Sequence, residues 1–199
     1  MVAADEARSV STFDVVGETL QATSLGQLEP RSRANLERAA RVADEIGGHL
    51  VSGHVCCVAR VEEVERQGGS GGRGNGNGNG NGNGNENNDN DSGNFRMRFR
   101  VPARWGKYIL PKWFISLDGC SLTIGPDVET EKRANGEDET RFSVFFILET
   151  LRVMRFGEAR VGNAINVEVD AITQAVVDAV ERVVDARIEE RLAAKGLRV

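Results

Sequence analysis

A chain of 199 residues with a net charge of −5 has room for one domain of ordinary size or for two small ones. The charge gives a nucleic-acid partner no general electrostatic support, because the arginines are scattered among acidic residues. No apolar run approaches the roughly 18 residues of a membrane span, and the first ten residues contain no apolar signal core. We therefore expect no nucleic-acid partner and no membrane partner.

The three cysteines favour a reducing compartment and give no sign of a metal site. Cys56 and Cys57 are adjacent, so they cannot form a Cys-x-x-Cys metal knuckle, and Cys120 makes the count odd. A reducing compartment is the simpler assumption for such a chain. We expect all three to be small buried apolar residues.

The first predicted elements recur late in the chain. After a strand-like run over 12–18, the segment that starts Glu18-Thr19-Leu20 returns 131 residues later as Glu149-Thr150-Leu151, with six identities in twenty positions. Such self-similarity indicates two copies of one supersecondary unit, and we interpret the copies as homologous β-modules.

The pattern of the second copy predicts the structure of the first. It continues as 163–169, where apolar and polar residues alternate with the period of a strand. The equivalent stretch 32–37 is therefore predicted to be a strand, and a short helix is predicted at 43–46.

Both histidines of the chain lie in the segment 47–55. His49 and His54 are framed by Gly47, Gly48 and Gly53. Histidine holds or releases a proton near neutral pH, and neighbouring glycines let a ligand approach the backbone closely. The pattern leaves two interpretations open, namely hydrogen-bonded structural histidines near a strand start or a site of proton transfer.

Strand patterns fill the middle of the chain. The stretch 50–66 is β-rich, and 95–101 alternates without a fault. The tract between them, 67–94, is dominated by Gly and Asn and is predicted to be a flexible, expanded loop that does not separate domains. The later predictions are a short helix or turn at 105–110, strands at 114–117 and 121–124 joined by Asp118-Gly119, a charged loop at 125–140, and a strand at 142–147.

A helical period begins after Asp170, which stands at an N-cap position. Gly196 ends the pattern, whose apolar members are spaced by three and four residues. They are Val176, Val180, Val183, Val184, Ile188 and Leu192. A single amphipathic helix must bury this stripe on the barrel or on its own copies, and we expect oligomerisation.

Several motifs together resemble one family. They are Glu-Thr-Leu…Gly…Asn-Leu-Glu-Arg-Ala from residue 18, Asp-Glu-Ile-Gly-Gly-His-Leu-Val-Ser-Gly-His-Val from 44, Lys-Tyr-Ile-Leu from 107, Asp-Gly-Cys-Ser-Leu-Thr from 118, and Asn-Val-Glu-Val-Asp…Thr-Gln-Ala-Val-Val-Asp-Ala-Val-Glu-Arg from 166. The chain resembles riboflavin synthase of the α-subunit type from residue 12 to about 187, apart from the two loops.

The resemblance implies a mainly β fold with two homologous six-stranded barrels, the first incomplete, and a C-terminal helix. The domains would be 1–46, 47–170 and the oligomerisation helix 171–199. Family members convert two molecules of 6,7-dimethyl-8-ribityllumazine into riboflavin and a ribitylamino-pyrimidinedione, without a metal or redox cofactor. They work as homotrimers, with each site between barrels of two subunits. The implied compartment is the cytoplasm, or an organelle stroma if a targeting segment is missing.

The resemblance also implies the site residues. His54, Ser121 and Asp170 would be catalytic. The substrate-binding set would be Asp14, Val15, Val16, Gly17, Glu18, Thr19, Gly53, His54, Val55, Lys112, Ser121, Leu122, Thr123, Phe145, Phe146, Ile147, Leu148, Glu149 and Thr150. From the residues alone, Asp170 could equally be a plain helix cap and Lys112 a solvated surface charge.

The chain departs from the family pattern near its start. A Met-Phe-Thr-Gly-Ile-like strand and an Asn-Gly-Cys-Cys-Leu-Thr-like segment are expected but do not precede Thr12. Leu148 and Met154 stand where the family has Pro and Thr. The alternative to an enzyme is therefore a non-catalytic lumazine- or flavin-binding protein, or an inactive fragment.

Overall fold

The computed structural model describes residues 3–5, 9–66, 95–132 and 136–196. Its strands and α-helices are β1 (Ala3–Asp5), β2 (Val10–Thr12), α1 (Gly17–Ala22), β3 (Cys57–Arg66), β4 (Phe95–Pro102), β5 (Phe114–Leu117), β6 (Cys120–Glu131), β7 (Glu139–Phe146), α2 (Leu148–Val153), β8 (Ala164–Val169) and α3 (Ala171–Ala194). Three 3-10 helices cover Ser24–Gln27, Ala103–Tyr108 and Arg155–Glu158. None of the described helices is both long enough and apolar enough to cross a membrane.

Six strands close into an antiparallel barrel with the order β3-β4-β7-β6-β5-β8. Strand β4 shows why this sequence forms a barrel wall. Phe95, Met97, Phe99 and Val101 are buried, and the three arginines between them alternate to the other face. The predicted strand at 95–101 is confirmed, and so is a mainly β fold with a C-terminal helix.

Aromatic and branched side chains fill the barrel. The rings of Phe99 and Phe142 stack with centroids 5.5 Å apart, and Ile124 and Val144 are fully buried. Strand β8 closes the barrel against β3, where Cys57 pairs with Val167. Burial of such side chains is the main stabilising contribution, roughly 1.5–3 kcal/mol for each large apolar residue.

The cysteines are free thiols that belong largely to this core. Cys57 is buried, whereas Cys56 and Cys120 are half-buried and pack against the core. The neighbouring thiol of Cys56, 3.9 Å away, and then burial raise the pKa of Cys57. The expectation of small apolar residues is met most fully at Cys57.

The turn Asp118-Gly119 joins β5 to β6 as predicted. Both residues have positive φ, 44° and 81°, which is the geometry of a tight two-residue hairpin. The predicted charged loop at 125–140 is wrong in its extent, since β6 continues to Glu131 and pairs with β7 as far as Glu139. Residues 133–135 lie outside the described ranges.

The internal repeat is present in the backbone. Helix α1 and the 3-10 helix Ser24–Gln27 are matched by α2 and Arg155–Glu158, and all four boundaries keep the offset of the sequence repeat. The unit is helical, so the strand-like run predicted over 12–18 is wrong beyond Thr12. The Glu-Thr-Leu motif lies inside a short helix in both copies.

The predictions for the rest of the first copy are wrong. Residues 32–37 are not a strand, although five of their six equivalents in the second copy belong to β8. Strand β8 is held between β3 and β5, whereas the described part of the chain provides no neighbouring strand for 32–37. The helix predicted at 43–46 is also absent. The described residues before 57 do not form a barrel, and the tract 67–94 lies outside the described ranges.

Helix α3 begins where the sequence predicts. The Asp170 side chain accepts hydrogen bonds from Thr173 N at 2.8 Å and Thr173 Oγ1 at 2.7 Å, which makes Asp170 the N-cap. The helix is anchored to the barrel by Tyr108, whose hydroxyl donates to Asp178 at 2.5 Å. The apolar stripe remains exposed along most of the helix.

Candidate active site

The glycine-rich histidine segment approaches the start of β6 closely. Gly48 has a φ of 105°, and a Cβ there would lie 2.4 Å from Ser121 Oγ. Beside it, His49 N donates to Ser121 Oγ at 3.1 Å, and His49 Nδ1 shares a hydrogen bond of 2.6 Å with the same oxygen. Glycine at position 48 is therefore what allows this segment to reach Ser121.

His49 lies in a partly apolar niche. Its ring stacks on Phe114 with centroids 5.2 Å apart, and its Nε2 is buried without a hydrogen-bond partner in the described part of the chain. The sequence motif drew attention to His49 but did not place it among the candidate site residues. Its bond to Ser121 shows that it belongs to the same cluster.

Asp170 lies near His49, so that a positive charge on that ring would lower the pKa of Asp170 slightly. Burial by itself would raise the pKa of Asp170, but the two hydrogen bonds from Thr173, together with smaller effects of Trp113 and His49, outweigh it and hold the pKa below its ordinary value. Trp113 Nε1 lies 3.5 Å from Asp170 Oδ2, at the outer limit of a hydrogen bond. Asp170 is thus an ionised helix cap that faces the histidine cluster.

His54 is held by a second cluster around Glu168. This carboxylate is only 7% exposed, and it accepts hydrogen bonds from Ser52 N at 2.7 Å, Ser52 Oγ at 2.8 Å and Gly53 N at 2.9 Å. Ser52 Oγ in turn lies 2.8 Å from Nδ1 of the exposed His54. Sequence reasoning missed both Glu168 and Ser52. The repeat makes Glu168 equivalent to Glu37. Because Glu37 is exposed in the structure, the repeat does not predict that Glu168 is buried.

The hydroxyl residues of β6 face outward. Leu122 packs against the core, so Ser121 and Thr123, its neighbours along the strand, point to the opposite face. Lys112 lies nearby with a φ of 62°, and its backbone N donates to Ile124 O. The structure therefore brings this predicted set together at one end of β6.

The predicted run 145–150 lies beside β6. Ile124 pairs with Val144, so the end of β7 runs next to Thr123. Phe146 points into the core, whereas Phe145 and Ile147 are exposed by 45% and 69%. The exposed side chain of Phe145 therefore lies on the strand next to the Thr123 hydroxyl, and Ile147 follows just beyond the end of β7.

The predicted run 14–19 is separate from these residues of β6 and β7. Residues 14–18 are exposed and Thr19 is half-buried, and within the described ranges no hydrogen bond or ion pair joins the run to Ser121 or to either histidine. Val55 lies half-buried just before β3, and Gly53 has a φ of 85° with open space at its Cβ position.

Comparisons with known proteins agree on one kind of protein. The sequence pattern of the lumazine binding domain matches residues 52–170. Riboflavin synthase of Escherichia coli K12 is 39% identical over 177 residues, which are 88% of this chain and 67% of the relative. Riboflavin synthase of Chlamydia muridarum is 35% identical, covering 85% of this chain and 67% of the relative. The enzyme of Meyerozyma guilliermondii is 32% identical, covering 83% and 56%.

Proposed function

This chain belongs to the riboflavin synthase family, and from that premise we propose that it acts as this enzyme in riboflavin biosynthesis. The proposed reaction transfers a four-carbon unit between two molecules of 6,7-dimethyl-8-ribityllumazine. Its products are riboflavin and 5-amino-6-ribitylamino-pyrimidinedione. The observation that carries the proposal is the meeting of the outward hydroxyls of β6, the exposed end of β7 and the histidine segment on one face of a closed barrel.

The surface has the chemistry that a lumazine needs. A flat heterocycle with a polyhydroxylated chain requires apolar contact for its ring and polar groups for its hydroxyls. Phe145 and Ile147 supply exposed apolar area, and Ser121 and Thr123 supply hydroxyl groups. Lys112, Leu148, Glu149 and Thr150 complete the proposed side-chain contacts, whereas Leu122 and Phe146 would contribute backbone atoms alone, because their side chains pack in the core.

The reaction joins two identical molecules, so positioning is a large part of catalysis. Holding two reactants together can supply about 7–11 kcal/mol of the barrier. The chemistry also removes a proton from a methyl group of one lumazine and adds a nucleophile, for which solvent water is the source, to the other. We assign proton transfer to His54 or Asp170, and stabilisation of charge on the ring to Ser121. No residue of the chain is assigned as a covalent nucleophile.

The second lumazine requires a second surface. We assign it to the run 14–19 of another subunit, because most of this run is exposed and the run is equivalent by repeat to 145–150. A homotrimer built through α3 would supply that subunit. Six apolar side chains of α3 are 46–71% exposed and would be covered in it: Ile172, Val176, Val180, Val183, Val184 and Ile188.

A direct assay tests the proposal. The purified chain is incubated with 6,7-dimethyl-8-ribityllumazine, and riboflavin is followed by its absorbance. We expect turnover that falls at least tenfold in His54→Ala and in Ser121→Ala. Ser11→Ala, an exposed change on β2, serves as the control. Tight binding of the lumazine without turnover would indicate a non-catalytic carrier, and the absence of both would contradict the ligand assignment.

A further inference from the structure

The hydrogen bonds around Glu168 determine which way the Ser52 hydroxyl points. Both carboxylate oxygens act only as acceptors, since they face two backbone N–H groups and one hydroxyl. A serine hydroxyl has a single hydrogen to donate and two lone pairs that accept. The hydrogen of Ser52 lies on the 2.8 Å line to Glu168 Oε1, because the two oxygens would otherwise oppose each other with lone pairs alone.

That assignment leaves Ser52 Oγ as an acceptor toward His54. It accepts from the backbone N of His54 at 3.3 Å, and it lies 2.8 Å from the ring atom Nδ1. Because its only hydrogen is directed to Glu168, the hydrogen on the second contact must come from the ring. His54 Nδ1 is therefore protonated, and Nε2 carries the lone pair when the ring is neutral.

We propose that Ser52 and Glu168 are positioning residues that hold His54 in its Nδ1–H form, with Nε2 as the proton acceptor. In water the neutral histidine ring favours the opposite form, with the proton on Nε2. A proton taken up at Nε2 gives an imidazolium whose Nδ1–H still donates to Ser52. The negative charge of Glu168, which reaches the ring through the Ser52 hydroxyl, stabilises this new positive charge. The role in proton transfer rests on the proposed function, whereas the ring form does not.

The first histidine provides an internal comparison. Ser121 Oγ accepts from His49 N, but no carboxylate binds its hydrogen among the described contacts. The hydroxyl is therefore able either to donate to His49 Nδ1 or to accept from it. The constraint on the proton is specific to His54, and it comes from a buried carboxylate on β8.

The experiment observes the two rings directly. The full chain is labelled with ¹⁵N-histidine, and the ring nitrogens are recorded by long-range ¹H–¹⁵N correlation at a pH where both rings are neutral. The chain has only two histidines, so His49→Gln assigns the signals. We expect His54 Nδ1 to have the shift of a protonated nitrogen and Nε2 that of an unprotonated one. Ser52→Ala should move the proton to Nε2, and Ser52→Thr, which keeps the hydroxyl, should restore the native pattern.

Turnover gives the second measurement. Ser52→Ala should lower kcat for the lumazine about tenfold with little change in KM, and Ser52→Thr should recover most of it. A native His54 with the proton on Nε2, or a Ser52→Ala spectrum identical to the native one, overturns the inference. If the native chain shows no turnover, the proposed function fails while the spectra still decide the ring form. Melting temperatures confirm that each variant is folded.

Discussion

Asn35 and Asn166 occupy equivalent positions of the internal repeat, and each accepts a hydrogen bond from the backbone of the other copy. Asn166 Oδ1 accepts from Ser24 N at 2.7 Å, and Asn35 Oδ1 accepts from Arg155 N at 3.1 Å. Ser24 and Arg155 are themselves equivalent, as the first residues of the two 3-10 helices. The exchange is therefore reciprocal, and it docks the first copy on the barrel through a local two-fold relationship.

We expect that each of these two hydrogen bonds can be removed without removing the other. Asn166→Ala should speed hydrogen exchange at the Ser24 amide, and Asn35→Ala should do so at the Arg155 amide, because each change removes the acceptor of one amide. In each variant the free energy that protects this amide from exchange should fall by roughly 0.5–1.5 kcal/mol, the net contribution of one hydrogen bond. Native-state hydrogen exchange measured by NMR makes the comparison residue by residue.

The control for these variants is Asn163→Ala. Asn163 Oδ1 also accepts a backbone hydrogen bond, from Arg160 N at 2.8 Å, but that bond stays within one turn of the barrel. Asn163→Ala should leave the hydrogen-exchange rates of the Ser24 and Arg155 amides unchanged. Equal exchange rates at Ser24 and Arg155 in all three variants would contradict the docking role.

Elements of the fold could be predicted from the sequence where the contacts that determine them are local. Strand β4 was predictable because its own alternation encodes an inner and an outer face, and the β5–β6 hairpin because Asp118-Gly119 encodes the turn. The extension of β6 to Glu131 could not be predicted, because the added residues are mostly polar or charged and form a strand by pairing with β7. The stretch 32–37 has a strand's repeat equivalent, but no neighbouring strand is found for it among the described residues, and pairing decides strand formation.

The site divides in the same way. The glycine-rich histidine segment and the hydroxyls of β6 were predictable as residue types in a motif. The burial of Glu168 was not predictable, because it depends on the segment 52–53 lying against β8, more than 110 residues away in the sequence. Neither was the bond between His49 and Ser121, which are 72 residues apart in the sequence.

Gly48→Ala should disrupt the contact between the histidine segment and β6. The added Cβ would meet Ser121 Oγ at 2.4 Å, and a φ of 105° is strained for any residue with a side chain. We expect a cost of roughly 1–3 kcal/mol and loss of the hydrogen bond between His49 and Ser121. The ring signals of His49 and the free energy of unfolding in urea would report both effects.

Gly47→Ala is the matched control, since a Cβ there meets nothing within 4 Å. It should leave the His49 signals in place. If Gly48→Ala and Gly47→Ala behaved alike, the close approach to Ser121 would not be the reason for glycine at position 48.

Val180→Glu should dissociate the oligomer that we propose for α3. Val180 lies in the apolar stripe and is 56% exposed in the single chain, so burying a carboxylate there would be costly. Sedimentation velocity should show a smaller species, while the circular dichroism of the barrel is unchanged. Ala186→Glu adds the same charge outside the stripe and should keep the native size. A native chain that sediments as a monomer would argue against the trimer.

Asp170 can be tested for two roles at once, because capping and chemistry respond to different substitutions. Asp170→Ala removes the acceptor of both Thr173 hydrogen bonds and should cost about 0.5–2 kcal/mol of stability. Asp170→Asn keeps a capping oxygen but has no negative charge, so it should be nearly as stable as the native chain. If Asp170 transfers protons, both variants should lose turnover, and if it is only a cap, Asp170→Asn should retain it.

The pH dependence of stability follows from the lowered pKa of Asp170. A carboxyl whose folded pKa lies below its unfolded value contributes stability above the unfolded value of 3.8, and this contribution is lost as the pH falls through the folded pKa. Urea unfolding of the native chain should therefore show a loss of stability below about pH 4 that is smaller in Asp170→Asn. Identical pH profiles in the two proteins would mean that the Thr173 hydrogen bonds do not favour the charged carboxylate over the protonated carboxyl group.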